Sequence, residues 1–136
     1  MARALDEGFA DIIALARTRL THVRVEDDID EDRAILVVEG WLDQYRILIK
    51  ETVNSGRRRY AYYVLQGERV LLGFDNDADR TALRLKFGED YVNHIQDLVP
   101  HRHGPDKSST TLTEAWEAER FLHELDDLLT PLLSNT

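Results

Sequence analysis

Between residues 21 and 75 the chain strings together five short runs that read as β-strands, with only a few residues from the end of one to the start of the next. The runs are THVRVE, RAILVVEGWL, QYRILIKETV, RRRYAYYVL and RVLLGFD, and the third sets Tyr45, Ile47 and Ile49 against polar neighbours with the two-residue period of a half-buried strand. Parallel neighbours need crossovers of about a dozen residues or more, and none of these joints is that long. An antiparallel meander follows. The joints are themselves turn-like: an acidic tip, EDDIDED, after the first run; a hairpin loop at Asn54, Ser55 and Gly56; and a tight turn at 66–68, with Gly67 where positive φ is needed.

Helical periodicity brackets this β-rich middle. Leu5, Phe9, Ile12, Ile13, Ala16 and Leu20 recur at spacings of three and four, which predicts an amphipathic helix over 5–20. A second is predicted over 113–129, with Ala115, Ala118, Leu122, Leu125 and Leu129 on one stripe, Phe121 and Leu128 beside it, and Pro131 limiting its continuation. In the segment 77–99, ALRLKF alternates weakly, and EDYVNHIQDLV reads equally well as a helical turn or two or as a further strand. The expected fold is α+β: one domain over 1–136, an antiparallel meander of about five to seven strands, and a helix from each end packed on it.

Charge and cysteine content narrow the chemistry. With no cysteine there is no disulfide framework and no thiolate, so a metal would have to be held by His, Asp and Glu. Acidic residues interrupt the apolar N-terminus, and no apolar run reaches the roughly 18 residues of a membrane span, so a cytoplasmic protein without a membrane partner is expected. The net charge of −9 disfavours unspecific attraction to phosphate backbones. Its distribution is uneven: residues 1–56 sum to −5, residues 57–107 to +1 and residues 108–136 to −5. The residues best suited to chemistry lie in that middle third.

Those residues fall in three short motifs. His101 and His103, in PHRHGPD, project to the same side if that segment is extended, roughly 6.5 to 7 Å apart along it. Two imidazoles so placed can exchange protons near neutral pH or ligate a metal, and they can equally be surface histidines of a polar loop. Asp75 and Asn76 end the fifth run, where such residues commonly close a turn on nearby backbone N–H groups; Asp75 can also orient or ligate an imidazole. Tyr60 and Tyr62 share strand parity, while Arg59 and Tyr63 face the other way, so Tyr60 and Tyr62 are the tyrosines expected beside His101. Arg57, Arg58 and Arg59 form a basic run that suits a solvated hairpin edge or phosphate binding. His22 and His94 stand alone in the sequence. No Gly-rich phosphate loop, HExxH, nucleophile elbow or EF-hand loop is present.

In their order, Arg59-Tyr60-Ala61-Tyr62, then Phe74-Asp75-Asn76, then Pro100-His101-Arg102-His103, the motifs resemble those of the TumE-like family of small prokaryotic proteins. The resemblance covers 45–104. It implies the toxin of a two-gene toxin–antitoxin module, with a helix-turn-helix antitoxin as partner and RNA as a candidate substrate. Members similar to this chain commonly continue after Asp-Asn with an Ala-Pro-His-His-like run, where this one reads DNDADRTALRLKF. On this resemblance His101 and His103 are the acid and base of a metal-independent endoribonuclease without cofactor. Asp75 and Tyr62 are expected within a side chain's reach of them, Asn76 and Tyr60 in support, and Arg59 or Arg102 on the phosphate. Three alternatives stand beside it: a metal site of His101, His103 and Asp75; a non-enzymatic protein that docks a basic partner; and a diverged member without activity. A homodimer is compatible with each.

Overall fold

The computed structural model describes residues 5–133, and among them it has three α-helices and one seven-stranded antiparallel sheet. Strands β1 (Thr21–Ile29), β2 (Arg33–Leu42), β3 (Tyr45–Asn54), β4 (Arg57–Gln66) and β5 (Arg69–Asp75) pair in chain order, as the short joints require. Two three-residue strands, β6 (His101–His103) and β7 (Thr110–Leu112), continue that order. β1 outruns its alternating segment, which ends at Glu26: it goes on through Asp27 and Asp28, and Ile29 pairs with Ala34. The acidic tip is thereby reduced to Asp30, Glu31 and Asp32. Because β1 is an edge strand and these acids are exposed, extending it buries no charge.

Helices α1 (Leu5–Arg19) and α3 (Ala118–Leu133) cover one face of the sheet. Phe9, Ile12 and Ala16 from α1, and Phe121, Leu122 and Leu125 from α3, are buried with Leu36, Val38, Ile47, Ile49, Tyr62 and Phe74 from the strands. At about 1.5–3 kcal/mol for each large apolar side chain buried, this layer is the main source of stability. The side chain of Leu5 lies outside the described ones. No helix among the described residues is long and apolar enough to cross a membrane.

The C-terminal helix begins at Ala118, five residues later than its stripe predicts. Trp116 is the reason: its carbonyl accepts from Arg58 Nη2 at 2.8 Å and its N–H donates to Tyr60 Oη at 3.2 Å, so both backbone groups are committed to β4. The indole stacks on Phe74 at 4.0 Å between ring centres, and it takes the buried place expected for Ala115, which is exposed. Pro131 sits within α3, in its last turn, where one missing N–H does not stop the helix. Between β5 and β6, ALRLKF forms helix α2 (Arg80–Phe87), capped by the Asp79 side chain on Ala82 N–H, and a 3₁₀ segment follows at Gly88–His94. Ala82, Leu83 and Val99 give this segment a small separate core.

Among the described residues, no helix covers the second face of the sheet over β2–β4. Residues opposite one another on neighbouring strands share a face, so Lys50, Ala61, Asp75 and His101 form one row across β3–β6 on this open side. Leu48, Tyr63, Gly73 and His103 form the next row. Two rows thus bring the Asp-Asn and His-x-His motifs to one place.

Candidate functional site

Residues 101–103 are a strand rather than a polar loop, and this sets the site. β6 pairs with the end of β5, with His101 opposite Asp75 and His103 opposite Gly73, so both imidazoles lie on the open face beside the one carboxylate. His101 is fully buried, and His103 and Asp75 are each 6% exposed. His101 Nε2 is 3.0 Å from Asp75 Oδ1, and His103 Nε2 is 3.2 Å from Asp75 Oδ2. The two Nε2 atoms are 3.1 Å apart. They converge on one point and do not stand on opposite sides of a substrate-sized gap.

His101 and Asp75 are held from behind. His101 Nδ1 donates to the Val99 carbonyl at 2.6 Å, Asp77 N–H donates to Asp75 Oδ1 at 2.9 Å, and the Tyr63 hydroxyl donates to Asp75 Oδ2 at 2.8 Å. Asp75 therefore both closes a turn and orients imidazoles, the two roles open to it from sequence. His103 Nδ1 has no protein partner. Burial pushes the Asp75 carboxyl up, but the His101 and Asp77 hydrogen bonds, the His101 charge and the Tyr63 hydroxyl outweigh it and hold the group well below the usual carboxylate range. Burial opposes protonation of His101, yet Asp75 and the Val99 carbonyl raise its pKa; at His103 burial, the His101 charge and Lys107 lower it despite Asp75. The Tyr63 hydroxyl is pushed up, by burial first and then by the Asp75 charge.

Tyr62 is not in this site. Its hydroxyl donates to Glu51 on the helix-covered face and accepts from Arg58 Nη2 at 2.7 Å, and Tyr60, on the same face, accepts from Trp116 N–H. The cause is a bulge. The turn pairs Gln66 with Arg69 and Leu65 with Val70, and continuing that register would set Tyr60 opposite Asp75. Leu71 is inserted, however, so Val64 pairs with Leu72 and Ala61 with Asp75. One extra residue exchanges the faces and brings Tyr63, not Tyr62, to the carboxylate. Arg102 also lies on the far face, its guanidinium 5.3 Å from the Phe74 ring centre. Asn76 is architectural: Oδ1 accepts from Tyr60 N–H at 2.9 Å and Nδ2 donates to the Arg58 carbonyl at 3.0 Å, prolonging the β4–β5 ladder.

The cluster forms the floor of a cavity of about 380 Å³, within the range of small-ligand pockets. Lys50, Arg59 and Lys107 line it, opposed by Asp77 and Asp79 as well as Asp75. Arg59 is ion-paired with Asp77 across its mouth, with both side chains more than half exposed. A second hollow, lined by Arg57 and Gln96, shares Thr52, Arg59 and Asp77 with the first, so the two form a continuous groove. Of the expected site residues, His101, His103, Asp75 and Arg59 thus come together, and Tyr60 and Asn76 also contribute to the cavity lining although their side-chain hydrogen bonds are structural. Lys50, Tyr63 and Lys107 join them without having been singled out; Lys50, like Tyr63, owes its place to the bulge, since the unshifted register would set Glu51 in the row of Asp75.

No family model matches the chain, and no curated protein or solved structure matches it.

Proposed function

We propose that the groove binds a phosphodiester of RNA and that the chain acts as the toxin-like component of a toxin–antitoxin pair. The observation that carries this reading is the pairing of a buried His101–His103–Asp75 cluster with Lys50, Arg59 and Lys107 around one cavity. The resemblance of the motif order to TumE-like proteins supplies the biological role.

Cleavage of RNA by its own 2′-hydroxyl forms a bond from that oxygen to phosphorus and breaks the bond from phosphorus to the 5′-oxygen. One proton leaves the attacking oxygen and one reaches the departing oxygen. In this reading the His–His–Asp cluster takes the proton of the attacking oxygen, a solvent water in the open groove gives one to the departing 5′-oxygen, and Lys50, Lys107 and Arg59, once it is released from Asp77, hold the phosphate charge as it redistributes. Arg57 in the adjoining hollow meets the next phosphate along the strand. A basic protein partner, the antitoxin of such a pair, meets the acidic edge strand β1, whose outer side is unpaired.

Expression without a partner tests this. Wild type is expected to arrest growth and leave cleaved RNA in the arrested cells. Asp75→Asn keeps the shape of the side chain and removes its charge, and it is expected to relieve the arrest and lower cleavage by purified protein about 10²-fold or more. Circular dichroism and thermal unfolding check that the variant folds. Equal arrest from folded wild type and folded Asp75→Asn would remove the cluster from the activity.

A further inference from the structure

The polar atoms at the floor of the cavity are disposed as ligands are around a metal ion. We propose that His101 Nε2, His103 Nε2 and the Asp75 carboxylate bind a single first-row divalent metal ion, with its remaining coordination positions open to the groove. This rests on the RNA reading only for the substrate the metal would serve; the site itself stands on geometry.

The first argument is distance. His101 Nε2 is 3.0 Å from Asp75 Oδ1 and 3.1 Å from His103 Nε2, which is itself 3.2 Å from Asp75 Oδ2, so the two imidazoles meet the two oxygens of one carboxylate. Ligands about 2.1 Å from a metal are about 3.0 Å apart when cis in an octahedron and about 3.4 Å apart in a tetrahedron. The three contacts lie at or between these values, so the two imidazoles and the carboxylate, through one or both of its oxygens, can close on one ion after a local adjustment.

The second argument is proton accounting. A carbonyl only accepts, so the 2.6 Å contact with Val99 puts a proton on His101 Nδ1 and leaves Nε2, in the neutral ring, as a bare lone pair. That lone pair faces a carboxylate oxygen, acceptor against acceptor, and in the neutral rings the one proton left is on His103 Nε2, which can point at His101 or at Asp75 but not at both. Each proton satisfies one of the three contacts. A cation at the centre satisfies all three. The hydrogen bond behind His101 and the two behind Asp75 are also the outer-shell contacts that fix ligand orientation in metal sites. The cost falls on His103, whose Nδ1–H would then have no protein acceptor.

The third argument is charge. Lys50, Arg59 and Lys107 are matched one for one by Asp75, Asp77 and Asp79, so the cavity lining is formally neutral in a protein of net charge −9. Three cations so balanced are a weak attraction for a phosphodiester. A bound divalent ion changes the balance to +2 and places the excess beside the buried cluster. Two imidazoles and one carboxylate, without thiolate, suit zinc, manganese, iron, cobalt or nickel, and three protein ligands with open positions mark a site that acts on a ligand.

The test starts from chelator-treated full-length protein, titrated with Zn²⁺, Mn²⁺ and Co²⁺. Binding of one ion per chain is expected for at least one of them, with the unfolding midpoint raised by roughly 5–10 °C at a hundredfold excess over Kd. His103→Ala and Asp75→Asn are expected to abolish the rise, and Tyr63→Phe to weaken binding by about tenfold through its hold on Asp75. His94→Ala, which disrupts the exposed contacts with Asp90 and Asp97, is expected to leave it unchanged. If the ligand variants do not fold, NMR on wild type decides: Mn²⁺ broadens the imidazole resonances of His101 and His103 ahead of those of His22, His94 and His123. Binding of none of the three ions, or binding that survives in folded His103→Ala, overturns the proposal. RNA cleavage that persists in chelator with no metal bound removes the metal from that reaction and leaves the RNA reading with the imidazoles acting alone, while the metal site is decided by the titration. One ion bound with neither cleavage nor growth arrest sustains the metal site and removes the RNA reading.

Discussion

Tyr63 reaches Asp75 across a position that has no side chain. Gly73 is its partner on β5, and a Cβ there would overlap the Tyr63 ring. Gly73→Ala is therefore expected to push the ring aside and cost about 1–3 kcal/mol, as overpacking of a filled site does. Tyr63→Phe keeps the ring and loses only the hydrogen bond to Asp75, so about 0.5–1.5 kcal/mol is expected. Urea midpoints at constant m-value order the two, and a larger loss for Tyr63→Phe would mean that the hydroxyl rather than the ring governs this corner. The Asp-Asn and His-x-His motifs were legible in the sequence because polar residues at strand ends stand out against apolar runs. The identity of the tyrosine was not. It depends on one inserted residue, Leu71, and alternation read along a single strand carries no information about a bulge in its neighbour.

At the scale of elements, the basic run that opens β4 divides by alternation into two jobs. Arg58 turns toward the helix-covered face, where its Nη2 donates to Glu51 at 3.0 Å, to the Tyr62 hydroxyl at 2.7 Å and to the Trp116 carbonyl at 2.8 Å, tying β3, β4 and the approach to α3 together. Arg59, on the open face, pairs with Asp77 where both side chains are exposed. Arg58→Ala leaves the Glu51 carboxylate buried at 6% exposure with its cation gone, which is expected to cost about 3–5 kcal/mol. Arg59→Ala is expected to cost less than about 1 kcal/mol, because water screens an exposed pair, and on the proposed reading to weaken RNA binding. Thermal unfolding of the two variants side by side checks this, and equal losses would contradict the division. The five long strands and both terminal helices were legible because their periods persist over many residues. The segment 77–99 was not: its small core rests on Ala82, Leu83 and Val99, too few apolar residues to impose a period, and the helix there is announced mainly by the Asp79 cap.

For the molecule as a whole, a seven-stranded open sheet has two edges, and the chain treats them differently. β7 is three residues long, too short to template another strand, whereas β1 offers nine residues with one side unpaired. Its protection is charge. Glu26 and Asp28 lie on the open face and Asp27 on the other, so an antiparallel self-pairing centred on Asp27 sets acids opposite acids on both faces. Each such pair costs about 1 kcal/mol at 4 Å in water, enough in sum to disfavour a weak edge contact. The same row of acids does not oppose, and attracts, a partner rich in Lys and Arg. Replacing Glu26 and Asp28 together by valine keeps β-propensity and removes the open-face charge, so the double variant is expected to self-associate in sedimentation velocity at concentrations where wild type shows no association through this edge. High salt, which screens the exposed acids over about 3 Å at 1 M, is expected to move wild type part of the way in the same direction. A variant that sediments as wild type does would mean that something other than charge guards β1, and would remove the electrostatic argument for a basic partner there.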